Sequence, residues 1–132
     1  MSNQAEHKTF IFNEKIDKEL LISLYEDDFL YMEEIFSITL TQLKPDIIIL
    51  NSAFEAGDLL ALQKAVHKIK PSFGFVGLPV TQELCKQFED TCAAAGSVEQ
   101  VASAYSALCD RLKESVSIIE SEYGKFKEFN IS

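Results

Sequence analysis

The chain has 132 residues, enough for one domain with a real core and too few for two, and its 47% hydrophobic and 25% charged residues are ordinary globular composition. Acidic residues outnumber basic ones by 21 to 12, for a net charge of −9, which argues against a nucleic-acid binder. No apolar run approaches the roughly 18 residues of a membrane span.

Met1–Thr9 is polar and is expected to fray. It has neither the apolar core nor the cleavage pattern of a signal peptide, and a start at Met1 is what a free-standing chain would show. Phe10, Ile11 and Phe12 are apolar and suited to dock on the body. A short first helix is expected over Asp17–Tyr25, with Leu20, Leu21 and Leu24 inward, and Glu26-Asp27-Asp28 marks a break whose acids suit a following helix N-terminus. The second helix, Asp28–Ala56, carries its stripe on Phe29, Met32, Phe36, Leu40, Leu43, Ile47, Leu50 and Phe54. Pro45 deletes one backbone bond in its middle and should kink it. The apolar phase continues across Pro45, which favours one kinked helix over two. Gly57 ends this helix, and Asp58 is a good N-cap for the next.

The third helix is expected over Asp58–Phe75, with Leu59, Leu62, Val66, Ile69, Phe73 and Val76 as its seam. Pro71 inside it should cause a local distortion or an early end near Lys70. Gly77, Leu78 and Pro79 form a turn. The fourth helix, Pro79–Ala95, places Val80, Leu84, Phe88 and Cys92 inward. Gly96 stops it, and Ser97 with Gln100 resembles a capping box. The fifth, Ser97–Lys125, has Val98, Val101, Tyr105, Leu108, Leu112, Ile119 and Phe126 as its stripe, with a fraying tail from Phe126 to Ser132. No segment alternates as a strand does. Short loops between long amphipathic helices give an all-α fold, an antiparallel four-helix bundle with a small extra N-terminal helix, ordered over about residues 10–126. The three cysteines, an odd number, argue against a disulfide framework. Cys85 and Cys92 would stand about 10.5 Å apart along one helix, too far to bridge. With Cys109 they read as thiols of a reducing cytoplasm.

At roughly 100° per residue, His67 lies well off the seam of the third helix and faces out. No Asp or Glu occurs from Leu59 to Gln82, whereas Lys64, Lys68 and Lys70 fall within four residues of His67. On the C-terminal side the outer face carries compact Pro71 and Gly74, which leave room for a large partner, and Leu60 lies two turns below. A surface histidine among solvated lysines is the plain interpretation. The chemical one is an imidazole nucleophile that takes up a phosphoryl group whose charge the ammonium groups stabilise. Other chemistries lack support. There is no glycine-rich phosphate loop to bind ATP, His7 and His67 are the only histidines, and neither follows a Glu at the spacing a di-metal bundle needs. An exposed helix face is also a poor pocket for a serine hydrolase.

An imidazole nucleophile benefits from a hydrogen bond at its second nitrogen. Ten or eleven residues back from the Gly77-Leu78 turn is His67, and the same count forward lands on Phe88 and Glu89. Phe88 is on the apolar stripe, so Glu89 on its flank is the candidate to accept the second N–H and set the tautomer. A plain surface acid is the alternative.

His67-Lys68-Ile69-Lys70, followed by Gly74, Val76-Gly77-Leu78, Leu84-Cys85 and Phe88-Glu89, resembles the histidine-containing phosphotransfer (HPt) domain family, over about Asp17–Tyr123. The resemblance implies that His67 is the phosphoacceptor through Nε2, that Lys70 stabilises the phosphoryl group, that Gly77 closes the hairpin, and that Glu89 is the polar residue bonded to the imidazole. One position departs: the family usually has Gly directly after the lysine, and here it is Pro71, so a bent helix could alter partner choice or rate. The implied function is that of a phosphorelay intermediate rather than an enzyme, without autokinase activity. It would accept a phosphoryl group from the aspartate of a receiver domain in a response regulator or hybrid sensor histidine kinase and pass it to a second receiver. No cofactor of its own is implied, and any Mg²⁺ would sit on the receiver. Lys64, Lys68, Leu60, Pro71 and Gly74 would stabilise the phosphoryl group or dock the partner. Competing readings are a helical adaptor that binds a receiver without transferring phosphate, and a metal- or cofactor-binding bundle.

Overall fold

A computed structural model describes residues 8–131. The expectations for the polar start up to His7, and for Ser132, lie outside the described residues. The elements are α1 (Lys18–Tyr25), α2 (Phe29–Glu55), α3 (Leu59–Phe75), α4 (Pro79–Ala94), a 3₁₀ turn (Val98–Val101) and α5 (Ala102–Ile131). α3 packs between α2 and α4, and α5 closes the bundle against both of them. Short connections make sequential helices antiparallel. α1 lies against α2. No helix among the described residues is long and apolar enough to cross a membrane.

The helix starts follow from three aspartates. Asp17, Asp28 and Asp58 each accept, through the side chain, a backbone N–H from Leu20, Tyr31 and Ala61, all at 3.0 Å. Each fills one of the donors a helix N-terminus leaves open. As caps they stand just outside the helices, so α1, α2 and α3 begin one residue later than the pattern suggested.

Both internal prolines are accommodated. α2 is continuous through Pro45, and α3 runs through Pro71 to Phe75, so the early end expected near Lys70 does not occur. Both rings are exposed, while Ile69 and Phe73 beside Pro71 are fully buried. Burial of the opposite face offsets the one missing backbone bond.

The stripes of α2, α3 and α5 are buried or half-buried as the periodicity implies. Three details differ. In α1 only Leu21 is fully buried and Leu24 is 49% exposed, because two turns can turn only one narrow stripe inward. In α4, Val80 is 61% exposed, and the buried set is Thr81, Cys85, Phe88 and Cys92. These steps of 4, 3 and 4 fit one helical face, and Val80 falls about 100° off it. The polar Thr81 is tolerated there because its hydroxyl shares a hydrogen bond with buried Ser115 at 2.8 Å. The capping box does not form, since Ser97 makes no side-chain cap bond and Gln100 Oε1 accepts instead from Gly96 N–H at 2.7 Å. The tighter 3₁₀ turn that buries Val98 and Val101 leads the chain into α5 there.

The tail from Phe126 does not fray; it is the last turns of α5. Phe126 is fully buried, with the Phe10 ring stacked on it at 4.3 Å. Asn130 Nδ2 donates to Phe29 O at 3.0 Å and Glu33 Oε1 at 2.8 Å. Phe10 is buried and Phe12 half-buried, whereas Ile11 between them is 74% exposed, as extended backbone requires. The same segment is pinned by Asn13 N–H donating to Glu122 Oε2 at 2.8 Å. Glu122 is fully buried and is compensated by this bond and by Lys125 at 3.0 Å.

The segment also shapes the α3–α4 turn. Gly77 has φ +76°, and a Cβ there would lie 2.9 Å from Ile16 Cγ2 and 3.0 Å from Leu21 Cγ. Its carbonyl accepts the Asp17 N–H at 2.8 Å. Gly77→Ala is therefore expected to lower the unfolding free energy by more than about 1 kcal/mol in urea titrations. Gly124→Ala, in α5 with nothing within 4 Å, should leave it unchanged or raise it by up to about 1 kcal/mol.

Candidate functional site

α3 presents His67 to solvent with its side chain 66% exposed. The seam residues Val66 and Ile69 are fully buried beside it, so the outward direction of His67 follows from their burial. From α4, Glu89 Oε2 lies 2.7 Å from His67 Nδ1, and its other oxygen accepts from Lys70 Nζ at 2.9 Å. One carboxylate thus holds both residues. An ionised carboxylate only accepts, so Nδ1 carries the proton in this pair, and in the neutral imidazole Nε2 is the nitrogen that keeps its lone pair. The hydrogen bond from Lys70, working against partial desolvation and helped by His67, holds the Glu89 carboxyl below its ordinary range. Beneath them Cys85 is fully buried, and burial pushes its thiol up to about 12. It is an inert part of the floor rather than a nucleophile.

The remaining candidates divide. Leu60, 60% exposed, and Pro71, exposed, share the outer face with His67. Lys64 is exposed one turn before it and, among the described residues, has no ion-pair partner. Lys68 is turned to α2, where its Nζ donates to Asp46 Oδ1 at 3.0 Å. Gly74 is a correction. It is half-buried, and a Cβ there would meet Gln82 Oε1 of α4 at 2.7 Å. Its small size is used inside the hairpin, and clearance beside the imidazole rests on Pro71. The basic island of the sequence is also less bare than it reads, since Lys68 and Lys70 are each matched by a carboxylate from a neighbouring helix.

Asp46 was not singled out from the sequence, yet a signal existed. Leu78 stands eleven residues from both His67 and Glu89, and four from both Gly74 and Gln82. Gly57 stands eleven from both Asp46 and Lys68. The same count about the preceding turn therefore finds the partner of Lys68. Phe75, 53% exposed at the end of α3, is a further apolar surface residue; its carbonyl accepts from Tyr25 Oη at 2.8 Å. Among the described residues no group of three or more His, Cys, Asp or Glu side chains is placed to hold a metal ion.

Comparison with known proteins places this geometry in context. The Hpt domain family matches residues 34–121, which include the whole of α3 and α4. The fold is similar to the crystal structure of the HPT domain from an Hpt sensor hybrid histidine kinase of Shewanella, with a TM-score of 0.72 and 19% identity over 84% of this chain and 95% of that one. No curated protein matches the chain.

The depressed Glu89 pKa has a consequence for stability. The carboxylate's contribution is present above the unfolded-state value and is lost as pH falls through the lower native value. The difference in unfolding free energy between the wild type and Glu89→Gln should shrink as pH falls below 4.5. Denaturant titrations across that range check this.

Proposed function

The chain belongs to the Hpt domain family, whose members carry phosphoryl groups through phosphorelays, and on that premise we propose that His67 is the phosphoacceptor. The observation that carries this is the exposed imidazole with Nδ1 held by Glu89 at 2.7 Å and Nε2 free. In the transfer, the Nε2 lone pair attacks the phosphorus of a receiver's aspartyl phosphate. The P–N bond forms as the P–O bond to the aspartate breaks, and the aspartate leaves as carboxylate. The ring becomes positive, and the Glu89 carboxylate, already on Nδ1–H, stabilises that charge. Onward transfer to a second receiver reverses these steps. Such chemistry is mostly positioning and charge stabilisation, which a rigid helix face can supply.

The other groups take supporting parts. Lys70, one turn beyond His67 and anchored on Glu89, is placed to donate to the phosphoryl oxygens. Lys64 adds a second ammonium on the N-terminal side. Lys68, held by Asp46, acts at the edge of the docking surface, of which Leu60 and Pro71 form the apolar part. The partners are receiver domains of response regulators or of a hybrid sensor histidine kinase, and Mg²⁺ belongs to the receiver's acidic site. The chain does not phosphorylate itself from ATP; the sequence offers no glycine-rich nucleotide loop in support of that chemistry. We place the exchange in the cytoplasm, where free thiols such as Cys85 and Cys92 persist.

Incubation with a phosphorylated receiver should give an acid-labile, alkali-stable label on the wild type and none on His67→Gln. Failure of every receiver to label the wild type would leave only an adaptor that binds without transfer. Lys70→Ala should slow transfer by about tenfold or more, as loss of a charge-assisted donor does, measured by rapid-quench kinetics under single turnover.

A further inference from the structure

We propose that Pro71 makes the main-chain carbonyl of His67 part of the recognition surface, so that the chain favours receivers presenting a hydrogen-bond donor beside the phosphoacceptor. This rests on the reading of His67 as the phosphoacceptor and adds a determinant of partner choice.

In an α-helix the carbonyl of residue 67 is bonded by the N–H of residue 71. Here residue 71 is proline, inside a helix that continues to Phe75, and proline has no N–H to give. The carbonyl that loses its donor is that of the reactive residue. Pro71 is exposed and His67 has 66% of its side chain exposed, about 40° apart around the helix axis, so the carbonyl lies beneath the face a partner covers. The ammonium groups nearby do not replace the missing donor. Lys70 is bonded to Glu89 and Lys68 to Asp46, and Lys64 lies on the N-terminal side, whereas a helix carbonyl points toward the C-terminus. A receiver that docks over Pro71 shields this oxygen from solvent and must supply a donor or leave the acceptor unsatisfied. Partners are thereby ranked by a group that takes no part in the chemistry.

The test uses Pro71→Ala, which restores the N–H and keeps the face compact. Phosphoramidate, a small donor that needs no docking, should label His67 in the wild type; absence of that label would overturn the phosphoacceptor reading and this inference with it. Transfer from a panel of phosphorylated receivers should then separate the effects. The receiver fastest with the wild type should slow about tenfold with Pro71→Ala, the worth of one hydrogen bond, and poorer receivers should change less, so that selectivity narrows. Rates that all change by one common factor, or not at all, would overturn the inference. Independently, the His67 carbonyl ¹³C resonance should shift when the wild type is saturated with the preferred receiver and stay in place in Pro71→Ala. An unmoved wild-type resonance counts equally against it.

Discussion

One carboxylate organises the exposed face around His67. Glu89 accepts a hydrogen bond from His67 Nδ1–H on one oxygen and from the Lys70 ammonium on the other. Without it the imidazole would be a freely rotating surface ring, with either tautomer available and the lysine unanchored. With it the ring is oriented, the outward nitrogen keeps its lone pair, and a cation is parked one turn away. The arrangement is only partly shielded, with Lys70 and Glu89 at 24% and 18% side-chain exposure, so its value lies in geometry and in the local field more than in stability. A shared carboxylate also means that Lys70 is positioned through α4 rather than by its own helix.

The bundle exists, from the site's point of view, to keep α3 and α4 in register. The antiparallel hairpin sets Glu89 against His67 and Gln82 against Gly74. The sharp turn at Gly77 is possible because glycine takes positive φ there and because no Cβ intrudes on Ile16 and Leu21. The N-terminal segment therefore packs on the turn that fixes the hairpin register. Its own anchors, the Phe10–Phe126 stack and the Asn13–Glu122 bond, lie on α5. A chain of ordinary packing contacts thus joins the Phe10–Asn13 segment and α5 to the α3–α4 hairpin.

Charge is distributed with the same economy. The chain is acidic overall, yet α3 carries no acid of its own from Leu59 onward. The acids that pair with Lys68 and Lys70 come from both flanking helices, Asp46 on α2 and Glu89 on α4. Lys68 and Lys70 are thereby directed to either side of His67 rather than left to wave across it. The centre of the face is left to the imidazole, Leu60 and Pro71.

Periodicity was enough to read the helices, their order and the bundle, because apolar spacing at 3.6 residues reports directly on which face leaves water. It also sent His67 outward, since Val66 and Ile69 must go inward. Counting from the Gly77-Leu78 turn brought Glu89 opposite His67, because an antiparallel hairpin of two straight helices keeps a nearly constant rise. What local pattern could not decide was set by contacts between segments distant in the chain. The helical end of α5 under Phe10 depends on a neighbour far away in sequence, and the use of Gly74 by Gln82 depends on how α4 packs back against α3. Even Lys68 was legible only as a charge. Its direction was decided by Asp46, twenty-two residues earlier, because a long flexible side chain takes its geometry from the partner that tertiary structure puts within reach.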